Sequence, residues 1–294
     1  MSGKDLFSLA GGVDNWGKLC KFAFVNKKSI DGMLSKNKIK LIRSLEHRKY
    51  RHEHGCFVAE GPKVVGDLMP KFRCRYLCAL EGWIQSHEGV SANVECDVVT
   101  SDELRKVSFM EHPQQVLALF ELPLKREDCF RDLDGSAFMV SKDRLCLALD
   151  NVQNPGNVGT IIRIADWFGI SDVVCSRGTA DVYSPKVVQA TMGSLARVGI
   201  HEVNLPAYLS VLPTDVPVYG TFLDGENVYG KNLQDRGVIV MGNEGNGISS
   251  EVSRYVTDRI TIPYFNGSDS GADSLNVGVA TAVVCSEFRR RFGV

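Results

Sequence analysis

The sequence lacks the features that mark a membrane-spanning or secreted protein. It contains no run of about 18 apolar residues, the length that a transmembrane helix requires. The first 22 residues, MSGKDLFSLAGGVDNWGKLCKF, do not show the basic-then-apolar order of a signal peptide. We therefore expect a cytoplasmic protein that has no membrane partner.

Metal-ligand spacing is also missing. The nine cysteines are scattered along the chain and form no CxxC pair. Cys74 and Cys78 lie four residues apart, but no second pair completes the four-ligand set that a structural zinc site needs. The sequence thus predicts reduced, mostly buried thiols and no metal site.

The chain has no excess of positive charge, since 34 Lys and Arg face 35 Asp and Glu. The distribution is less even, because the segment 33–51 carries seven basic residues and one acidic residue, Glu46. Such a segment can follow the phosphates of RNA, but it can equally form a solvated helix face, and charge alone leaves both interpretations open. The candidate RNA-binding residues are Lys36, Lys38, Lys40, Arg43, Arg48, Lys49, Arg51 and, in the second half, Lys186.

The length of 294 residues is enough for two domains. Residues 1–35 show no sustained period and are interpreted as an N-terminal extension, within which Met33 is a candidate for the biological start. Residues 36–121 alternate short apolar runs with helical patterns and predict a small α/β domain. Residues 122–143 are polar and irregular and predict a linker. Residues 144–294 then form the second domain.

The second domain shows the pattern of a mainly parallel sheet with helices on both faces. Five apolar runs of strand length (LCLALD, DVVCS, PVYGTF, GVIVMG and RITIPY) alternate with helical segments. The helices are predicted near 158–168 and 275–290. In such α/β sheets ligands bind beyond the carboxyl ends of the strands, so the loops at those ends are the candidate sites.

Three of these loops carry unusual residues. The first, NPGNVGTIIR (154–163), has a turn that leads into a helix with Arg163, and Gly159 there allows a close backbone approach. The second, VMGNEGNGIS (240–249), places Glu244 in a glycine-rich turn. The third runs from IPYF (262–265) to SLNVGVA (274–280), where Ser274 is predicted to cap the last helix with Asn276 in its first turn. Each loop alone could be a plain structural turn.

Together, in this order, the loops resemble the three motifs of the SpoU (TrmH-like) family in the SPOUT superfamily of methyltransferases. The segments KIKLIRSLEHRKYR, FVAEGPKVV and PQQVLAL resemble the ribosomal-protein-like RNA-binding domain that is often fused in front of them. The resemblance covers nearly all of residues 36–291. It implies methyl transfer from S-adenosyl-L-methionine to a ribose 2′-hydroxyl of RNA, with ribosomal RNA as the first expectation. It also implies a trefoil knot and a homodimer whose active site is completed across the interface.

The resemblance implies roles for named residues. Arg163 becomes the central catalytic residue, either as a general base or as a clamp on the neighbouring phosphate. We favour the clamp because a guanidinium stays protonated in proteins. The residues expected to orient Arg163 and the ribose are Asn157, Glu244, Ser274 and Asn276. Those expected to contact the cofactor are Thr221, Phe222, Leu223, Gly242, Asn243, Gly247, Ile262, Pro263 and Leu275.

Two departures and several alternatives remain. The loop 264–273 is longer than is usual in the family, and Gly278 stands where a serine is common. Within the family, a tRNA methyltransferase or an antibiotic-resistance methyltransferase of ribosomal RNA is the alternative. Outside it, a non-catalytic RNA-binding protein and a nucleotide-dependent oxidoreductase remain, although no GxGxxG motif with a following acidic residue supports the latter.

Overall fold

The computed structural model describes residues 34–87, 89, 94–123, 144–266 and 274–292. The first domain is α/β, as predicted. Most of the predicted linker and nearly all of the predicted N-terminal extension lie outside the described residues. The elements of the first domain are α1 (Lys36–Ser44), α2 (Arg48–His54), β1 (Cys56–Glu60), α3 (Pro62–Leu68), β2 (Cys74–Ala79), α4 (Glu81–Ser86), β3 (Glu95–Val98), α5 (Ser101–Val107) and β4 (Val116–Glu121).

Alternation along β1 shows how the first sheet is covered on both faces. The strand order is β1-β4-β2-β3, with β4 antiparallel to both of its neighbours. Phe57 belongs to the cluster that contains the apolar residues of α3 and α4, whereas Val58 belongs to the cluster beneath α1 and α5. Successive side chains of a strand point to opposite faces, so α1 and α3 lie on opposite sides of this sheet.

The second domain contains a six-stranded sheet in the order β10-β8-β9-β5-β6-β7, and every pairing in it is parallel. This confirms the predicted fold class. Its elements are β5 (Leu145–Leu149), α6 (Pro155–Trp167), β6 (Asp172–Ser176), α7 (Pro185–Ala190), β7 (Gly199–Val203), α8 (Leu205–Ser210), β8 (Val218–Asn227), β9 (Gly237–Met241), α9 (Ser250–Ser253), β10 (Asp258–Thr261) and α10 (Val277–Phe292).

One strand of this sheet was not predicted. The segment GIHEV of β7 lies at the sheet edge, where only its last residue is buried. Its polar residues and initial glycine hide the apolar pattern that revealed the other five strands. The remaining five strands confirm the prediction within a few residues, except that β8 is longer than the predicted run.

Gly159 allows a close approach between two helices rather than between backbone and ligand. It lies in α6, and a Cβ added there would come within 2.4 Å of Ala190 Cβ on α7. The close approach predicted from the sequence therefore exists, but it serves packing inside the second domain.

The two domains pack against each other through the face of the first sheet that carries α3. One apolar cluster runs without interruption from Phe57 and Phe120 to Val188 and Leu195 of the second domain. The ring centroids of Phe57 and Tyr183 are 5.1 Å apart across this contact. The position of the first domain relative to the second is thus fixed by buried apolar surface. No helix among the described residues is long and apolar enough to cross a membrane.

Candidate active site

Four neighbouring strands end at one edge of the second sheet. Strands β10, β8, β9 and β5 are adjacent and parallel, so their carboxyl ends lie together. This is the edge at which open α/β sheets bind ligands. The three loops singled out in the sequence follow β5, β9 and β10, and the fold therefore gathers them at one place.

The Glu244 carboxylate joins the loop after β5 to the turn after β9. Its Oε1 accepts hydrogen bonds from Asn157 Nδ2 at 2.9 Å and from the Asn154 N–H at 3.3 Å, and its Oε2 accepts one from the Gln153 N–H at 3.3 Å. Partial burial acts to raise the pKa of Glu244, but the hydrogen bonds from Asn157 and the backbone bring it below its ordinary value. The carboxylate is therefore ionised at neutral pH.

Asn276 brings the third loop into the same network. Its Nδ2 donates to Asn157 Oδ1 at 3.0 Å, and its Oδ1 accepts from the backbone N–H groups two and three residues further on. The second pattern is that of a helix N-cap, since α10 begins at Val277. The prediction that Ser274 caps this helix is therefore wrong. Ser274 lies exposed two residues before the cap.

The turn after β9 is held in shape by Asn243. Its Oδ1 accepts from the N–H groups of Gly245 and Asn246, and its Nδ2 donates to the Asn151 carbonyl at 2.7 Å. The side chain predicted to contact the cofactor thus links this turn to the loop after β5. Gly242 has no room for a side chain, because a Cβ there would lie 2.3 Å from the carbonyl carbon of Gly247.

The middle of β8 leaves the sheet ladders at the segment predicted to hold the cofactor. Pairing with β9 ends at Gly220, and pairing with β10 stops at the same residue and resumes at Glu226. Residues 221–225 therefore take no part in either described ladder, and the Leu223 carbonyl accepts a hydrogen bond from Thr261 Oγ1 at 3.4 Å instead. Thr221 is anchored by its Oγ1, which donates to the Val240 carbonyl at 3.0 Å.

Apolar side chains around this segment are wholly or partly exposed to solvent. Leu223 is 79% exposed and Leu275 is 50% exposed, while Ile262 and Pro263 are half-buried. Phe222 is half-buried, and the Arg259 guanidinium lies 3.5 Å from its ring centroid. Exposed apolar side chains beside a strand segment that has left the sheet ladders fit the adenosyl part of S-adenosylmethionine, whose flat base has a polar edge.

Arg163 stands apart from the network that it was predicted to join. It lies six residues after Asn157 on α6, which is about 9 Å along the axis and on a different side of the helix. Its side chain is exposed and has no hydrogen bond or ion pair with any described residue. The structure of one chain thus gathers Asn157, Glu244 and Asn276, but neither Arg163 nor Ser274.

Several of the candidate RNA-binding side chains are bonded to other residues of the protein. Lys38 pairs with Asp97 at 2.6 Å, and Arg43 donates to the Ser108 carbonyl at 2.7 Å. Arg48 and Arg51 pair with carboxylates of the second domain, and Arg51 is only 2% exposed. The basic residues of the segment 33–51, taken from the sequence alone, predict that all of them share one exposed surface. The structure leaves four of the candidates exposed with neither a side-chain hydrogen bond nor an ion pair among the described residues, namely Lys36, Lys40, Lys49 and Lys186.

The cysteines do not form a second site among the described residues. Seven of them have free thiols, and no group of three or more His, Cys, Asp or Glu side chains in that part of the chain is arranged to hold a metal ion. Burial raises the pKa of Cys175 and of Cys285 to about 12, so both thiols stay protonated.

Comparison with known proteins identifies the family. Residues 144–286 match the model of the SpoU rRNA Methylase family, and residues 36–118 match the MRM3-like substrate binding domain. A protein from Porphyromonas gingivalis that is assigned to the TrmH family of RNA methyltransferases has a solved structure with 43% sequence identity, a TM-score of 0.76 and coverage of 88% of this chain and 99% of that one. The chain belongs to the SpoU (TrmH-like) family of RNA methyltransferases.

Two further relatives support this assignment. The 23S rRNA (guanosine(2553)-2′-O)-methyltransferase RlmP of Bacillus subtilis (strain 168) is 29% identical over 256 residues, which cover 86% of this chain and 96% of the relative. The structure of an AdoMet-bound rRNA methyltransferase from Sinorhizobium meliloti has 28% identity, a TM-score of 0.74 and coverage of 88% and 97%. The predicted enzyme class and the predicted methyl donor, S-adenosylmethionine, are confirmed.

The Glu244 network generates a first prediction. Glu244→Gln leaves one oxygen to meet three N–H donors and places an amide NH2 among them, so the loop after β5 should lose its fixed position. We expect methyl transfer to fall by about tenfold with little change in thermal stability, because the side chain is exposed. Glu251→Gln, an exposed acid on α9 that contacts Ser250, is the control. Equal activity of the two variants in a single-turnover assay would remove Glu244 from the site.

Proposed function

We propose that the protein transfers the methyl group of S-adenosylmethionine to a ribose 2′-hydroxyl of ribosomal RNA. The observation that carries the proposal is the network of Asn157, Glu244 and Asn276, because it ties three strand-end loops together beside the apolar wall at Leu223. Ribosomal RNA is favoured over tRNA because the front domain matches the MRM3-like substrate binding domain and RlmP is named for 23S rRNA. The reaction is placed in the cytoplasm, where thiols stay reduced.

The chemistry assigned to the chain is mainly positioning. When bound, S-adenosylmethionine supplies an already activated methyl group, so the protein must orient the hydroxyl and exclude water. The Glu244 carboxylate and the two amides hold the loops around that position rigidly. The Arg163 guanidinium clamps the phosphate next to the target ribose and, by its charge, lowers the pKa of the 2′-hydroxyl, whose proton passes to an oxygen of that phosphate as the methyl group is transferred. Ser274, which is exposed before α10, contributes a further hydroxyl at the rim.

A homodimer explains the distance between Arg163 and the network. Trp167 is 85% exposed on α6, four residues after Arg163 and on the same helix face. Val279 on the neighbouring helix α10 is 52% exposed, and the two helices pack side by side. A second copy that covers this apolar face would also cover Arg163. We infer that Arg163 acts across that interface, in the site of the other protomer.

The front domain binds the RNA through the basic side chains that the fold leaves exposed. Lys36 and Lys40 lie on α1, Lys49 lies in the first turn of α2, and Lys186 lies on α7 of the second domain. Ammonium groups that the protein leaves exposed are available to phosphates, which supply most of the affinity of such interfaces. Arg51 is left out of this surface because it is buried.

Replacing Arg163 tests its catalytic role. Arg163→Ala should bind S-adenosylmethionine as tightly as the wild type, within about threefold, while methyl transfer to ribosomal RNA from cells that lack the gene should fall by about 100-fold or more. Isothermal titration and tritium transfer measure the two quantities. Arg254→Ala, which removes an arginine directly after α9, should retain full transfer. An Arg163→Ala enzyme that matched it would exclude the clamp.

Reversal of the exposed basic charges tests the RNA surface. The triple variant Lys36→Glu, Lys40→Glu and Lys49→Glu should bind ribosomal RNA at least about tenfold more weakly and with a shallower salt dependence, by about one unit of slope for each phosphate that is no longer neutralised. Binding of S-adenosylmethionine should not change. The control Lys71→Glu follows α3, on the opposite side of the first sheet, and should affect neither. Unchanged RNA affinity of the triple variant would show that the charges only solvate the surface.

A charged substitution on the apolar face of α6 and α10 tests the proposed dimer. Trp167→Glu should convert a dimer to a monomer in light scattering at micromolar concentration and should abolish methyl transfer, since Arg163 could no longer reach the second site. The control is Val211→Glu, which places the same charge at a 50% exposed apolar residue after α8. A wild-type protein that is already monomeric and active would contradict the shared site.

A further inference from the structure

Arg51 occupies a position that the RNA-binding interpretation does not explain. Its guanidinium is buried between the domains, where Nη1 donates to the carbonyls of Leu45 and Glu46 at 2.7 Å and Nη2 donates to Asp181 Oδ2 at 2.5 Å. A buried cation with these bonds is expensive to displace, because removal of one partner leaves the other charge uncompensated. Arg51 is therefore a fixed part of the domain contact.

Its partner Asp181 lies at the end of a loop that packs on the active-site loop. This loop, residues 177–181, follows β6. The Ala180 N–H donates to the Val152 carbonyl at 2.9 Å, and Thr179 Oγ1 donates to the Leu149 carbonyl at 3.1 Å. Gly178 has no space for a side chain, since a Cβ there would overlap Asn151 Oδ1 at 1.8 Å. The two loops are therefore in close contact along their length.

The contact between these two loops ends one residue before the first backbone group that is hydrogen-bonded to Glu244. Val152, which accepts the bond from Ala180, directly precedes Gln153, and the N–H groups of Gln153 and Asn154 donate to Glu244. Hydrogen bonds between side chains and backbone groups, together with the peptide links between adjacent residues, thus connect Arg51 of the front domain to Glu244. A second ion pair between the domains joins Arg48 to Glu202 on β7, at the far edge of the sheet and two strands away from β5. Arg48 Nε also lies 3.8 Å from Asp181 Oδ2, so Asp181 meets both arginines, whereas Glu202 meets Arg48.

We propose that Arg51 is a positioning residue for methyl transfer: through Asp181 it holds the loop 177–181 against the loop 150–154 and so sets the place of Glu244 and Asn157. The front domain then does more than bind RNA, because its docking completes the geometry of the catalytic domain. The kinetic consequence rests on the proposed function, whereas the structural consequence does not. A displacement of about 1 Å in a catalytic loop is enough to slow a reaction by about 100-fold.

Asp181→Asn is the test variant, since it keeps the size of the side chain and removes the charge that Arg51 and, at a longer distance, Arg48 meet. Amide exchange measured by mass spectrometry should become faster in the peptides that cover residues 150–157, because the N–H groups of Gln153 and Asn154 lose their fixed acceptor. The turnover number at saturating ribosomal RNA and S-adenosylmethionine should fall by about tenfold, with both binding constants within about twofold of wild type. Glu202→Gln, which breaks the pair at the sheet edge, should change neither measurement.

Several results would overturn the proposal. Unchanged exchange in residues 150–157 would do so even if the protein proved inactive on ribosomal RNA, which keeps this failure separate from failure of the proposed function. Equal effects of Asp181→Asn and Glu202→Gln would show a general loosening of the domains. A loss of RNA affinity with an unchanged turnover number would assign the pair to RNA binding. If Asp181→Asn does not fold, Arg51→Lys is the replacement variant, with the same expected results. The lysine keeps the positive charge, but its single ammonium group cannot bind two carbonyls and a carboxylate in the geometry of the planar guanidinium.

Discussion

The candidate active site depends on one carboxylate, Glu244, which accepts hydrogen bonds from N–H groups of a neighbouring loop. The sheet brings the loops after β5, β9 and β10 to one edge, but it does not fix their conformation. Glu244 does so by accepting from two backbone groups and one amide, and Asn157 passes the constraint on to Asn276. Because Asn276 is also the N-cap of α10, the last helix is oriented by the same network. A loss at Glu244 is thus felt in all three loops.

The strands that position these loops could be predicted because they are buried on both faces. Continuous apolar runs such as LCLALD have no solvent-facing residues to obscure them, and they indicated β5, β6, β8, β9 and β10. The same reasoning missed β7, whose half-exposed edge position permits polar residues. It also missed the departure of residues 221–225 from the ladders, because a bulge depends on pairing partners that are distant in sequence.

Some site residues could be predicted from the sequence and others could not, because several of their contacts depend on residues that are distant in the chain. Motif resemblance named Asn157, Glu244 and Asn276 together, and one network joins them in the structure. Local chemistry could not decide between Ser274 and Asn276 as the helix cap, since both residue types cap well. The backbone donors of Gln153 and Asn154 were beyond prediction, because nearly every residue has an N–H group and only the fold selects which of them meet a carboxylate.

The basic segment 33–51 shows that a count of charges in the sequence does not predict which basic side chains remain exposed. Arg48 and Arg51 look equivalent to Lys36 and Lys40 in the sequence, yet the fold places acidic residues of the second domain, Asp181 and Glu202, opposite the two arginines. An arginine suits such a position because its planar fork can hold carbonyls and a carboxylate together, whereas a lysine is a strongly hydrated point charge that suits an open phosphate surface. Arg48 and Arg51 therefore join the domains, whereas Lys36 and Lys40 stay exposed.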